Sequence, residues 1–273
     1  MISFQSLLIV AIFTFVINIT ETLAYAMRYA GLKTRQIAIS MSFVTSTLLI
    51  SRLSNMFQSP LLGKMVDNTA RIGTAEALNN LESNFRVVIF AGFLGVLFAT
   101  LLTPSVVKVF ELAIRNFLRI GSLPRMFFYT IISPRRMLMV IRCFSLPKIS
   151  MLKDISLKRI PKKFLILNGL VASIYSIGVL ASLLAGAYLP DVRATAIQLS
   201  GIVNGLATIM FTLMVDPTGA RITDQAVHNV RPASDVKSVV FYLSISRMVG
   251  LLIIAQIILK PATEYIILFT KVI

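Results

Sequence analysis

Read for periodicity, the chain resolves into long apolar runs separated by polar, proline- and glycine-bearing connections. Six runs reach the length of about 20 residues that a bilayer core demands. They fall near residues 2–24, 37–57, 87–110, 164–188, 195–215 and 239–260. The pattern predicts an all-α, polytopic membrane protein with six transmembrane helices. Ala24-Tyr25-Ala26 has the look of a signal-peptide cleavage site. No basic residue precedes the first run, and Asn18 and Glu21 interrupt it, so it is read as a retained span.

The polar positions inside these runs are not scattered. Thr14, Asn18, Glu21, Tyr25 and Arg28 recur at steps of three and four, which places them on one helix face. Ser40, Thr47, Ser51, Asn55 and Gln58 form a second stripe in the second span. Two such stripes in apolar helices imply a lined cavity or a buried polar interface. Arg52 lies in the later part of span two, and Arg247 near the middle of span six. An arginine at a span centre costs about 2.5–3.5 kcal/mol, which a partner, a cavity or a function must offset. Two readings stand for each: a structural ion pair, with Glu21 as the candidate partner, or a functional cavity. Snorkelling to the interface is a third route for Arg52 and a poor one for Arg247.

An internal repeat is also visible. Met65-Val66-Asp67-Asn68-Thr69-Ala70-Arg71-Ile72 follows span two, and Met214-Val215-Asp216-Pro217-Thr218-Gly219-Ala220-Arg221-Ile222 follows span five. Arg35 precedes span two as Arg193 precedes span five, and Pro104 and Pro261 stand at the ends of spans three and six. Three spans per half make the second copy inverted, a recurrent transporter design. The expected organisation is a first repeat over 1–112, a basic segment over 113–163 and a second repeat over 164–273. Within each motif, Asp67 with Arg71 and Asp216 with Arg221 suit a helix cap and a local pair as well as a gate. Asp224 extends the second motif. Gly201 and Gly205 form a G-x-x-x-G that suggests close helix packing.

Composition sharpens this picture. Hydrophobic residues make up 56% of the 273, charged residues only 14%, and the formal net charge is +16. A soluble domain carries roughly 25% charged residues, so a soluble enzyme is excluded. Of the 27 Lys and Arg, 19 fall in the connections after spans one, three and five. The positive-inside rule puts that face in the cytoplasm and both termini outside. Thirteen of these lie between Lys108 and Lys163, where apolar clusters alternate with basic residues and Pro124, Pro134, Pro147 and Pro161 cut the chain. Short amphipathic helices on anionic membrane lipids are one reading of that connection, and a plain topology determinant is the other. Nucleic acid is not needed to explain the charge.

The single Cys143 and single His228 leave no disulfide and no Cys/His metal site. Gly63-Lys64 is followed by Met65, so there is no Walker-type ATP loop. No cofactor and no catalytic constellation is expected. Arginines, amides and hydroxyls suit anion binding, and the planar arginine fork suits phosphate. The candidate substrate-binding set is Arg52, Arg247, Arg28, Glu21 and Asn55. The candidate gating set is Asp67, Arg71, Asp216, Arg221 and Asp224.

Four stretches carry a resemblance: Thr20 to Gly31, Arg35-Gln36-Ile37-Ala38, Ser51-Arg52-Leu53-Ser54-Asn55-Met56-Phe57, and Thr218 to Asp224. Together they resemble Amj, the alternative lipid II flippase family of bacteria. The resemblance implies a plasma-membrane flippase that moves lipid II or a related polyprenyl-diphosphate lipid from inner to outer leaflet. It implies cell-wall synthesis machinery as the protein partner. It brings no catalytic motif, so every site residue above rests on the physical reading. With no ATP site, direction would come from the lipid gradient or from ion or potential coupling, with Glu21 as the proton-sensitive candidate. Two other classes remain open on the residues alone: a non-transporting membrane scaffold, and an ion-coupled carrier of a small solute.

Overall fold

The computed structural model describes residues 4–145, 147, 151 and 153–273, with the backbone alone at Phe127. Residues 1–3, at the start of the first expected span, and 146, 148–150 and 152, in the basic connection, lie outside the described residues. Among the described residues there is no strand, and six helical stretches are long and apolar enough to cross a membrane.

The first half is three long continuous helices, α1 (Phe4–Thr34), α2 (Ile37–Ile72) and α3 (Ala75–Ile120). They outrun the apolar cores expected from hydropathy because polar flanks extend the same helices beyond a bilayer's thickness. The α2–α3 turn is sharp: Gly73 closes α2 at φ 66°, and the Thr74 side chain accepts the Ala77 N–H to cap α3. A left-handed φ is where glycine carries no steric penalty. α1 packs against both α2 and α3. Its approach to α3 is close enough that a Cβ on Gly95 would lie 2.5 Å from the Phe15 carbonyl oxygen.

The basic connection holds two short helices, α4 (Leu123–Ile132) and α5 (Pro134–Arg142). Proline stands in the first turn of each, where its missing N–H costs nothing. α5 has no buried residue.

The second half starts with α6 (Lys162–Tyr188), the most buried of the spans. The fifth span, Pro190–Val227, is assembled from α7 (Arg193–Gln198), α8 (Ser200–Met210), a π-turn at Phe211–Val215 and α9 (Asp216–Val227). The sixth, Ala233–Val272, joins α10 (Ala233–Val249) to α11 (Ala255–Val272) through a π-turn at Gly250–Ile254. Helix continues across Pro104 in α3 and Pro261 in α11. The close packing expected of Gly201 and Gly205 is not found: a Cβ at either would meet nothing within 4 Å. Glycine instead lets elements meet at Gly250, where a Cβ would lie 2.5 Å from the Gly169 carbonyl oxygen.

The halves are joined laterally, with α1 on α10 and with α2 and α3 on α6. The largest apolar cluster runs across this seam, from Ala26 and Met27 on α1 to Phe164 on α6 and Val240 on α10.

Candidate functional site

The two polar stripes of the first half meet for part of their length. Gln58 Nε2 donates to Thr14 Oγ1 at 2.9 Å, Ser51 Oγ to Glu21 Oε1 at 3.0 Å, and Ser40 Oγ to the Met27 carbonyl at 2.6 Å. Asn55 departs from the expected stripe: it is exposed and does not join these contacts.

Arg247 enters from the sixth span. Only 9% exposed, it donates to Asn18 Oδ1 at 3.0 Å and pairs with Glu21. Its Nε is buried without a hydrogen-bond partner. A cation so deep in a span is tolerable because a carboxylate and an amide replace part of its hydration. The next link is Asn168 on α6. It accepts from Tyr25 Oη at 3.0 Å, and donates to the Leu243 carbonyl at 3.1 Å and Ser246 Oγ at 2.7 Å. Sequence reasoning passed over Asn168. Its signal was available, as an amide isolated in an apolar span.

Glu21, Tyr25, Ser51, Asn168 and Arg247 border one open cavity of about 330 Å³ lined by α1, α2, α6, the fifth span and α10. Glu21, Arg28, Arg52 and Arg247 all line it, and Asn55 does not. Phe211, the first residue of a π-turn, lines it too, while the second π-turn starts three residues beyond Arg247. Such turns rotate a helix face locally and recur at functional sites. Arg52 differs from the other charges. It is exposed at the cavity rim and has no ion pair or hydrogen bond among the described residues.

The Met-Val-Asp motifs do not pair internally as the local reading expected. Asp67 lies within α2, not at a cap, and pairs with Arg193 Nη1 at 2.5 Å. Asp216 opens α9 and pairs with Arg28. Arg71 and Arg221 are exposed and outside both pairs, and exposed Asp224 lies 3.5 Å from His228. The reason is geometric. Arg71, at i,i+4 from Asp67, points along the surface, and Arg221, at i,i+5 from Asp216, is off its face, whereas the arginine of the other half reaches across the seam. α1 and α2 run antiparallel, so the pairs sit at opposite ends of the molecule. Each joins one half to the other, and the cavity lies between them.

Six apolar spans, five of which line a cavity carrying more positive than negative side chains, define a polytopic membrane protein. The chain belongs to the Amj family: the family model, described as Alternate to MurJ, matches residues 13–270. It is 33% identical over 259 residues to the Lipid II flippase Amj of Bacillus subtilis (strain 168), covering 95% of this chain and 94% of the relative. No solved structure gives a significant match.

Proposed function

We propose that this chain is a lipid II flippase, moving the undecaprenyl-diphosphate-linked precursor from the inner to the outer leaflet of the bacterial plasma membrane. The observation that carries this reading is the charge-lined cavity of about 330 Å³ inside the spans of a chain so similar to a lipid II flippase. Flipping requires that the polar head avoid hydrocarbon, where unsatisfied polar groups are costly, while the apolar tail stays in the bilayer.

The charges suggest how the head is held and released. Glu21 neutralises Arg247, and Asp216 neutralises Arg28, which leaves Arg52 as the free cation of the cavity among the described residues. A diphosphate carries more negative charge than one arginine balances. It therefore takes Arg52 together with Arg28 when Asp216 is withdrawn, and reaches the unpartnered Nε of Arg247. Closure of the Arg28–Asp216 end takes Arg28 back and loosens the head. The Asp67–Arg193 end then opens on the other side. The two pairs act as alternating gates of an inverted 3+3 repeat, in place of the Asp67/Arg71 and Asp216/Arg221 couples.

The excess of Lys and Arg puts the Arg28–Asp216 end and the 113–163 segment in the cytoplasm, and both termini outside. Cys143 is the chain's sole cysteine, so it tests this directly. In intact cells it should resist an impermeant maleimide, while a cysteine at Val272 in a Cys143→Ser background should react.

The function is tested by rescue of MurJ-depleted cells with detection of lipid II in the outer leaflet. Its counterpart is purified protein in liposomes with labelled lipid II. Faster appearance of label in the opposite leaflet is the expected result. An inserted, folded protein that leaves that rate unchanged is a scaffold, and one that transports only a soluble solute is a carrier. Either overturns the proposal.

A further inference from the structure

A second, larger cavity lies apart from the charged one. It has a volume of about 420 Å³ and sits among the second half of α3, the end of α1, the first half of α10 and the chain around Ile155. α1 stands between the two cavities: Tyr25 and Arg28 line the first, Tyr29 and Lys33 the second. The walls are apolar, with Leu101, Pro104, Val107, Ile155, Val240 and Phe241 among them. Among the described residues, the ammonium groups of Lys33, Lys108 and Lys237 border this oil-like interior.

The three lysines are not equally occupied. Lys33 pairs with Glu111 at 2.9 Å and lies 5.3 Å from the centre of the Tyr29 ring. Lys237 pairs with Asp154 at 3.3 Å, and that carboxylate is exposed. Lys108 is exposed and has no ion pair or hydrogen bond among the described residues. The groove is fastened on both sides. Ser105 on α3 exchanges hydrogen bonds of 2.9 Å with the Ser145 backbone, and Ser238 on α10 accepts the Ser156 N–H at 3.1 Å. Apolar walls call for hydrocarbon chains, and the lysine border calls for a negative headgroup.

We infer that this groove is a resident site for an anionic bilayer phospholipid of the phosphatidylglycerol class. Its phosphate lies among Lys108, Lys237 and Lys33, and its acyl chains run between α3 and α10. A lysine is a compact point charge, adequate for one phosphodiester, whereas the bidentate fork suited to a diphosphate belongs to the arginines of the other cavity. The polyprenyl diphosphate is thus better matched to the arginine-lined cavity than to this groove. The lipid would bridge α1 and α3 of the first half to α10 of the second, so its occupancy bears on how the halves move. This inference does not depend on flipping and stands or falls by binding alone.

The test is native mass spectrometry of the full-length protein in detergent, titrated with palmitoyl-oleoyl phosphatidylglycerol or with phosphatidylcholine of the same chains. Phosphatidylglycerol should bind with preference. Lys108→Gln should weaken it about fivefold, the effect of one lysine near an anionic headgroup. Lys108→Gln/Lys237→Gln should weaken it further. Arg135→Gln/Arg136→Gln removes two charges from α5, one exposed and one half-buried and both outside the groove, and should leave the preference intact. Lys108 is exposed, so its substitution leaves the fold untouched, and an unchanged melting temperature checks that. Equal binding of the two phospholipids overturns the inference. So does loss of preference with the α5 substitutions alone, or displacement of phosphatidylglycerol by stoichiometric undecaprenyl diphosphate.

Discussion

Arg247 and Arg52 line the same cavity from different helices, α10 and α2, and their surroundings differ sharply. Arg247 is 9% exposed and held by Glu21 and Asn18. Arg52 is exposed and unpaired among the described residues. The α1–α10 wall thus pairs its charge internally, while the α2 wall leaves a cation unpaired among the described residues. One residue type stands in two settings, and the carboxylate at Glu21 makes the difference. A buried pair contributes little net stability, yet removing one partner strands the other at high cost. A free cation beside an apolar surface is worth having only if an anion arrives.

The largest effect is therefore expected at the paired arginine. Arg247→Ala leaves Glu21 and Asn18 without their partner and should cost about 3 kcal/mol, near the low end for a broken buried pair, because Glu21 is partly exposed. The measurement is the amount of membrane-inserted protein and its melting temperature in detergent. Arg247→Ala/Glu21→Ala should recover most of that stability while transport stays lost. If the double variant is no more stable than the single one, the pair is not what makes Arg247 tolerable.

Arg52→Ala should invert this outcome, with normal protein level and melting temperature but transport down by roughly tenfold or more. That corresponds to loss of a charge-assisted hydrogen bond of about 1.5–3 kcal/mol. Arg52→Lys should recover part of the rate, since it keeps the charge and loses the fork. Full transport by an inserted Arg52→Ala protein would take Arg52 out of the substrate site.

Smaller effects are expected at the two ends. The Arg28–Asp216 and Asp67–Arg193 pairs are partly exposed, and such pairs contribute about 0–1 kcal/mol. Asp216→Asn and Asp67→Asn should leave stability within that range yet alter access. A cysteine at Ala24, on the cavity wall, should gain reactivity from the cytoplasmic side with Asp216→Asn and from the outside with Asp67→Asn. Equal gains from one side with both substitutions would deny the pairs their separate roles.

Much of this was legible before any coordinates. Hydropathy locates six spans, because a bilayer admits only helices or closed barrels with every backbone group satisfied. Step counting puts Glu21 and Arg28 on one face, and insertion cost singles out Arg52 and Arg247. All four line one cavity. Two kinds of feature were not legible. Partner choice was one: Asp67 has Arg71 four residues away, the ideal spacing on a helix, yet it binds Arg193, 126 residues distant. Spacing reports only same-helix neighbours, and the seam between halves has no local signature. The π-turns at Phe211–Val215 and Gly250–Ile254 were the other. Their residues are as apolar as any stretch of a span, and what meets the second turn comes from far along the chain, Gly169 against Gly250.

The least effect is expected from the motif arginines themselves. Arg71 and Arg221 recur in both Met-Val-Asp stretches, the strongest argument from sequence for placing them at a gate. Yet each is exposed, and each aspartate is already satisfied from across the seam. An exposed side chain without a fixed partner changes stability by no more than about 0.5 kcal/mol when truncated. Arg71→Ala and Arg221→Ala should therefore keep melting temperature and transport near the parent values, whereas Arg28→Ala and Arg193→Ala, which remove the true partners, should reproduce the access changes of the aspartate variants. A transport defect in Arg71→Ala as deep as that in Arg193→Ala would return the gate to the motif and make the crossed pairs a feature of one conformation alone.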